Sequence, residues 1–148
     1  MAKSKLQQVD TTIPYIGSPK ITSGNSKSNK VDDANKLTIM MTSEELSDLG
    51  TDMLPMQFEK AGPRKKLYFD PSKTTCGIVT CGGLCPGIND VIRSIVLTAH
   101  HHYSVASIVG FRNGLRGFIP EYGYDTMGLH PDAISGIHHL GGTVLGTS

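Results

Sequence analysis

The stretch Cys76-Gly-Ile-Val-Thr-Cys-Gly-Gly-Leu-Cys-Pro-Gly-Ile-Asn-Asp-Val-Ile-Arg93 decides the fold class. Its first six residues are short, apolar and β-branched, and they stop at Gly82-Gly83, which is the composition of a strand buried on both faces. Past the loop, Ile88, Val91, Ile92, Ile95, Val96 and Ala99 recur at helical spacing on one face, and such a stripe packs against a sheet. His100, His101 and His102 close the helix, where imidazoles complement the negative end of its dipole.

Working outward, Val105-Ala-Ser-Ile-Val109 reads as a second buried strand. Residues 131 to 139 read as a second short helix, with Pro131 near its first turn and Gly141 as its stop. Thr143-Val-Leu-Gly146 begins a third strand or the turn leaving it. This β-α-β-α-β alternation is that of an α/β fold, a doubly wound parallel sheet of Rossmann-like type. Three strands and two helices barely begin such a sheet, so the α/β domain over 76–148 reads as truncated and the chain as the N-terminal portion of something longer.

Upstream, residues 37–75 read as an N-terminal arm. Thr42-Ser-Glu-Glu45 has capping-box spacing, Leu46 and Leu49 supply apolar positions and Gly50 a stop, predicting a short helix. Residues 51 to 68 read as extended, with Pro55 and Pro63 discouraging helix, and Arg64-Lys65-Lys66 reads as a solvated basic face. Residues 1–36, rich in Ser, Thr, Asn, Lys and Gly, bury too little apolar surface to offset their ordering entropy and read as a mobile extension. A docking or regulatory tail is the alternative.

Composition narrows the function classes. Fourteen Lys+Arg against thirteen Asp+Glu, a net charge of +1 over 148 residues, argue against nucleic acid as partner. No apolar run approaches the roughly 20 residues that span a bilayer, so no membrane is expected. Met1-Ala-Lys-Ser-Lys-Leu6 leads into polar residues rather than an apolar signal core, and the expectation is a cytoplasmic protein. Cys76, Cys81 and Cys85 lack zinc-type spacing, and adjacent histidines point around a helix rather than at one ion, so no metal site is expected.

The chemistry lies in Gly82-Gly-Leu-Cys-Pro-Gly-Ile-Asn-Asp90. Backbone N–H groups at a helix start, together with the helix dipole, suit an anion, and glycines let a phosphate approach without a Cβ in the way. The same glycines equally serve to shape a tight turn from strand to helix. Neither G-x-x-x-x-G-K-[ST] nor G-x-G-x-x-G is present, so any nucleotide binds by a different glycine pattern.

The string Thr80-Cys-Gly-Gly-Leu-Cys-Pro-Gly-Ile-Asn-Asp-Val-Ile-Arg93 closely resembles the first βα turn of 6-phosphofructokinases, in the branch with Leu-Cys where common bacterial enzymes carry Asp-Ala. Ile108-Val-Gly-Phe-Arg-Asn-Gly-Leu-Arg-Gly-Phe118 resembles the family's second strand and glycine-rich turn. Ile137-His-His-Leu-Gly-Gly-Thr-Val-Leu-Gly-Thr-Ser148 is similar to its next helix end and Gly-Gly-Thr-x-Leu-Gly-Ser segment. Phe58-Glu-Lys-Ala-Gly-Pro-Arg64 and Leu67-Tyr-Phe-Asp-Pro-Ser-Lys73 resemble the lead-in of the same branch, while the first 36 residues are not covered.

The resemblance implies phosphoryl transfer from ATP, or in some members pyrophosphate, to the 1-hydroxyl of fructose 6-phosphate in glycolysis. It further implies a Mg²⁺-dependent, allosteric homo-oligomer. It places the donor's phosphates against Gly83, with Gly82, Pro86 and Gly87 shaping the loop. Asn89 and Asp90 cap the helix or order the loop, capping being the preferred reading. Arg112 to Gly117 borders the donor-base pocket in the family, with Leu115 where some members stack an aromatic ring; Arg112 and Arg116 are surface residues or phosphate contacts. The family's next arginine, its Gly-Gly-Asp metal segment and its Thr-Ile-Asp catalytic segment all lie beyond Ser148. No catalytic or metal residue is therefore expected within this chain, which should be inert by itself. A non-catalytic truncated paralogue acting as a binding subunit is the alternative.

Overall fold

The computed structural model describes residues 10–26, 29–38, 43 and 56–148. In chain order its elements are β1 (Ile21–Thr22), β2 (Lys36–Thr38), β3 (Gln57–Glu59), β4 (Lys66–Leu67), β5 (Thr75–Val79), α1 (Ile88–Tyr103), β6 (Ser107–Phe111) and β7 (Met127–Gly128). Single 3₁₀ turns punctuate the connections.

β5 and β6 pair in parallel, Cys76 opposite Ile108 and Ile78 opposite Gly110, and α1 is the crossover between them. This is an α/β arrangement. The helix starts at Gly87, held at φ +84°, a left-handed conformation that glycine adopts without a Cβ clash. It ends where Ser104 turns left-handed at φ 53°. Ile92 and Val96 carry its buried face into a core completed by Ile108, Leu129, Ile134, Ile137 and Leu145.

Three expectations change. The apolar stripe of α1 is wider than the surface covering it: Val91 and Ile95 are 58% and 47% exposed, because the sheet reaches only one flank of the helix. β5 is not buried on both faces; Thr75 and Gly77 are exposed, since α1 covers one side only. Finally, residues 131–139 form a run of turns ending in a 3₁₀ turn at Ile137–His139 rather than a helix. Ile134 and Ile137 are nonetheless both buried, and the few residues between Pro131 and Gly136 are too short a run to build an α-helix of their own.

Of the strand or turn expected at 143–146, the structure shows a turn and no strand. Gly142 and Gly146 take left-handed φ of +72° and +70°, and Gly146 N–H closes a turn onto the Thr143 carbonyl at 3.1 Å. The third place in the sheet belongs to β7, antiparallel to β6 with Val109 opposite Gly128 and Gly110 opposite Met127. Among the described residues the sheet is thus a parallel pair with a short antiparallel edge, and one helix packs on it.

The segment expected to be a mobile extension is, from residue 10 to 36 where described, paired with the arm. β1 pairs with β4, β2 with β3, and Val31 bridges Arg64. Thr11 Oγ1 donates to the Gln57 carbonyl at 2.6 Å and the Tyr15 hydroxyl to Glu59 Oε1 at 2.6 Å. Composition could not show this, because the partners, backbone groups together with the Glu59 carboxylate, are supplied by residues 57–67. Arg64 is correspondingly no solvated charge. It lies 3.3 Å from Asp33 and 3.7 Å from Glu59 and donates to the carbonyls of Asp32 and Lys60. The short helix expected over Thr42 to Gly50 falls outside the described residues, Ser43 excepted.

The Tyr15 hydroxyl first, then Lys36 and Arg64, hold the Glu59 carboxyl below its ordinary range. A carboxylate with a depressed folded value contributes its stability above about pH 4.3 and loses it as pH falls through the lowered value. Acidification through that window is therefore expected to raise hydrogen exchange in residues 57–67 before it does so in α1, measured by pH-stepped exchange mass spectrometry.

Candidate functional site

The carboxyl end of β5 runs through Thr80 into Gly82 and Gly83, and this turn places them beside the start of α1. Residues 81–87 are all exposed, so no apolar side chain anchors the loop. Gly82 takes φ +84°; its N–H donates to the Ser148 carbonyl at 3.3 Å, and its carbonyl accepts from Thr147 Oγ1 at 2.6 Å. A Cβ built on Gly83 would have no neighbour within 4 Å, leaving its backbone open to approach from outside.

Next to this loop lies a cleft of about 560 Å³. One wall is Leu84 to Gly87 with Asn89 and Asp90; the other is His138 to Gly142. The structure thus brings the Gly-Gly-Leu-Cys-Pro-Gly loop against the Gly-Gly-Thr segment, two stretches more than fifty residues apart in the chain. Gly82 and Gly83 flank the cleft rather than line it.

Asn89 does not cap the helix; Gly87 holds that position and no side chain bonds the free N–H groups there. Asn89 instead points inward, 3% exposed. Its Nδ2 donates to the Leu140 carbonyl at 3.0 Å and its Oδ1 accepts from Val144 N–H at 2.9 Å. A signal for this was available: Asn89, Ile92 and Val96 share the helix face that enters the core, and a carboxamide there needs partners. Thr80, also buried, was not singled out from the sequence. Its hydroxyl reaches the Gly146 carbonyl at 2.5 Å and lies 3.0 Å from Thr143 Oγ1.

The turn after β6 is joined to the same segment. Asn113, left-handed at φ 59°, donates its N–H to the Leu145 carbonyl at 2.8 Å. Arg112 is exposed, Arg116 lies 5.9 Å from the Tyr122 ring centroid, and Leu115 is 62% exposed. Cys81 and Cys85 are exposed and Cys76 is half-buried. Among the described residues no three His, Cys, Asp or Glu side chains converge as metal ligands, and no helix is long and apolar enough to cross a membrane.

The family model for phosphofructokinase matches residues 75–148, which contain β5, α1, β6, the loop and the 140–148 segment. The chain belongs to the phosphofructokinase family. Among its relatives is an ATP-dependent 6-phosphofructokinase of Amycolatopsis methanolica, 57% identical over 62% of this chain and 20% of that protein. Another, from Trypanosoma cruzi, is 45% identical over 69% of this chain and 21% of the relative. A third, from Borreliella burgdorferi, is 38% identical over 100% of this chain and 34% of the relative. The chain therefore spans only between 20% and 34% of the length of these phosphofructokinases.

Close packing of the 140–148 segment depends on a bare strand position. A methyl at Gly110 of β6 would overlap the side chains of Leu145 and Leu129. Overpacking of this kind costs about 1–3 kcal/mol. Gly110→Ala is expected to lower the denaturation midpoint accordingly, read by urea unfolding of the folded protein.

Proposed function

We propose that this chain is the N-terminal part of an ATP-dependent 6-phosphofructokinase, carrying part of the phosphoryl-donor site. In that reaction the 1-hydroxyl oxygen of fructose 6-phosphate attacks the γ-phosphorus of ATP. The bond to ADP breaks, fructose 1,6-bisphosphate forms, and a carboxylate accepts the hydroxyl proton. The observation carrying the proposal is the loop at Gly82-Gly83, open at the Gly83 backbone, at the amino end of a sixteen-residue helix and within the family match. Helix N-termini and bare glycine backbone both favour a phosphate. The relatives described above are ATP-dependent 6-phosphofructokinases, which supports ATP as donor.

In this reading Gly83 approaches the donor phosphates and Gly82 shapes the turn. The Mg²⁺ ligands and the proton-accepting carboxylate come from outside residues 1–148, so this stretch alone is inactive. The complete domain would be a doubly wound sheet in a cytoplasmic, glycolytic, allosteric homo-oligomer. Pyrophosphate is the competing donor, and the same assay separates the two.

In the full-length enzyme, Gly83→Val places a branched side chain where the donor would lie. The expected result is a rise in KM for ATP of about ten-fold or more, with KM for fructose 6-phosphate little changed. Activity with pyrophosphate in place of ATP, or an unchanged KM for ATP in the variant, would contradict the proposal.

Residues 1–148 by themselves expose Val91, Ile95, Leu84, Leu115 and Phe118, together with the open edge of β5. Such surfaces promote association. Sedimentation of the isolated stretch is expected to show self-association that is reduced by Val91→Lys with Ile95→Lys; a monomer with a cooperative melt would refute this.

A further inference from the structure

Loop 82–87 has no hydrophobic anchor. Every residue in it is exposed, Leu84 included at 64%. Its position relative to residues 140–148 is instead set by hydrogen bonds between the two stretches and the residues flanking the loop. Asn89 bonds the Leu140 carbonyl and the Val144 N–H, Thr80 the Gly146 carbonyl, and Gly82 bonds Ser148 and Thr147. Asn89 and Thr80 make theirs while 3% and 7% exposed, so each bond is shielded from competing water. Burying a carboxamide and a hydroxyl next to Ile92 and Leu145 is costly unless both are satisfied, and here both are.

We propose that Asn89 and Thr80 are positioning residues for the phosphoryl donor. They fasten residues 140–148 to loop 82–87, so that two glycine-rich stretches meet the donor as one preformed surface. Without them each stretch would have to be ordered by the donor itself, and that ordering would be subtracted from donor affinity. In this role both act through the residues they hold, Leu140, Thr143, Val144 and Gly146. The inference rests on the reading of loop 82–87 as the ATP phosphate site.

The test uses the full-length enzyme with Asn89→Ala, Thr80→Val and Thr80→Ser, and with Gly83→Val in parallel. Asn89→Ala and Thr80→Val are expected to raise KM for ATP by about ten-fold while KM for fructose 6-phosphate moves less than about two-fold. Thr80→Ser retains the hydroxyl and is expected to restore most of the ATP affinity. Hydrogen exchange in residues 140–148 and 82–87 should rise together in Asn89→Ala, and added ATP should suppress both.

Thr80→Val guards against an Asn89 variant that does not fold, since it preserves shape and volume. Equal changes in both KM values, or failure of Thr80→Ser to recover, would reduce these residues to a structural role and overturn the inference. If Gly83→Val raises KM for ATP while Asn89→Ala and Thr80→Val do not, the inference alone falls. If Gly83→Val has no effect on KM for ATP, the donor reading falls and takes the inference with it.

Discussion

A carboxamide in the first turn of a helix, with both its donor and its acceptor spent on distant backbone, is the constraint around which this structure is organised. Asn89 cannot stay in the core unless the chain fifty residues later returns to meet it. That return brings Thr143 to Gly146 beside Thr80 and Asn113, and it seats Leu145, 1% exposed, over the bare backbone of Gly110. Polar satisfaction and apolar packing therefore reinforce one another. The amide ties the segment at one end, and the leucine fills the space this creates.

The arm follows a different logic. It has little core of its own, and its order comes from short antiparallel pairs and from Arg64, whose fork reaches two carboxylates and two carbonyls. A planar guanidinium can serve four acceptors in this way, where a lysine would act as a single point charge. The arm and the α/β portion thus differ in what holds them, one by charge and backbone pairing, the other by aliphatic burial.

Much of the α/β portion was legible in the sequence. The helix from Ile88 announces itself by apolar periodicity, and β5 and β6 by β-branched runs ended with glycine or a turn. What periodicity could not convey was tertiary. It marks Val91 and Ile95 as apolar without saying that each is left about half exposed. Pro131 and Gly141 suggest a helix over 131–139, where the chain instead buries Ile134 and Ile137 across consecutive turns. At the loop, the glycine-rich turn between strand and helix was readable from local chemistry. The buried hydroxyl of Thr80 was not, because its partners lie more than sixty residues away. The same limit explains Arg64, which looks like part of a basic run until Asp33 and Glu59 are seen beside it.

One feature of the sheet bears on how it can grow. β6 lies on one side of β5, and β7 runs antiparallel along the far side of β6. Among the described residues, no strand pairs with the flank of β5 that faces away from β6. Any later parallel strand that joins there continues the sheet in the direction opposite to the step from β5 to β6. β5 then becomes the strand at which the winding reverses. Open α/β sheets form their ligand crevice at the carboxyl end of such a reversal, where successive crossovers diverge to opposite faces and leave a gap. The carboxyl end of β5 leads directly to Gly82 and Gly83, so a strand joining that flank would set such a crevice beside the glycine-rich loop.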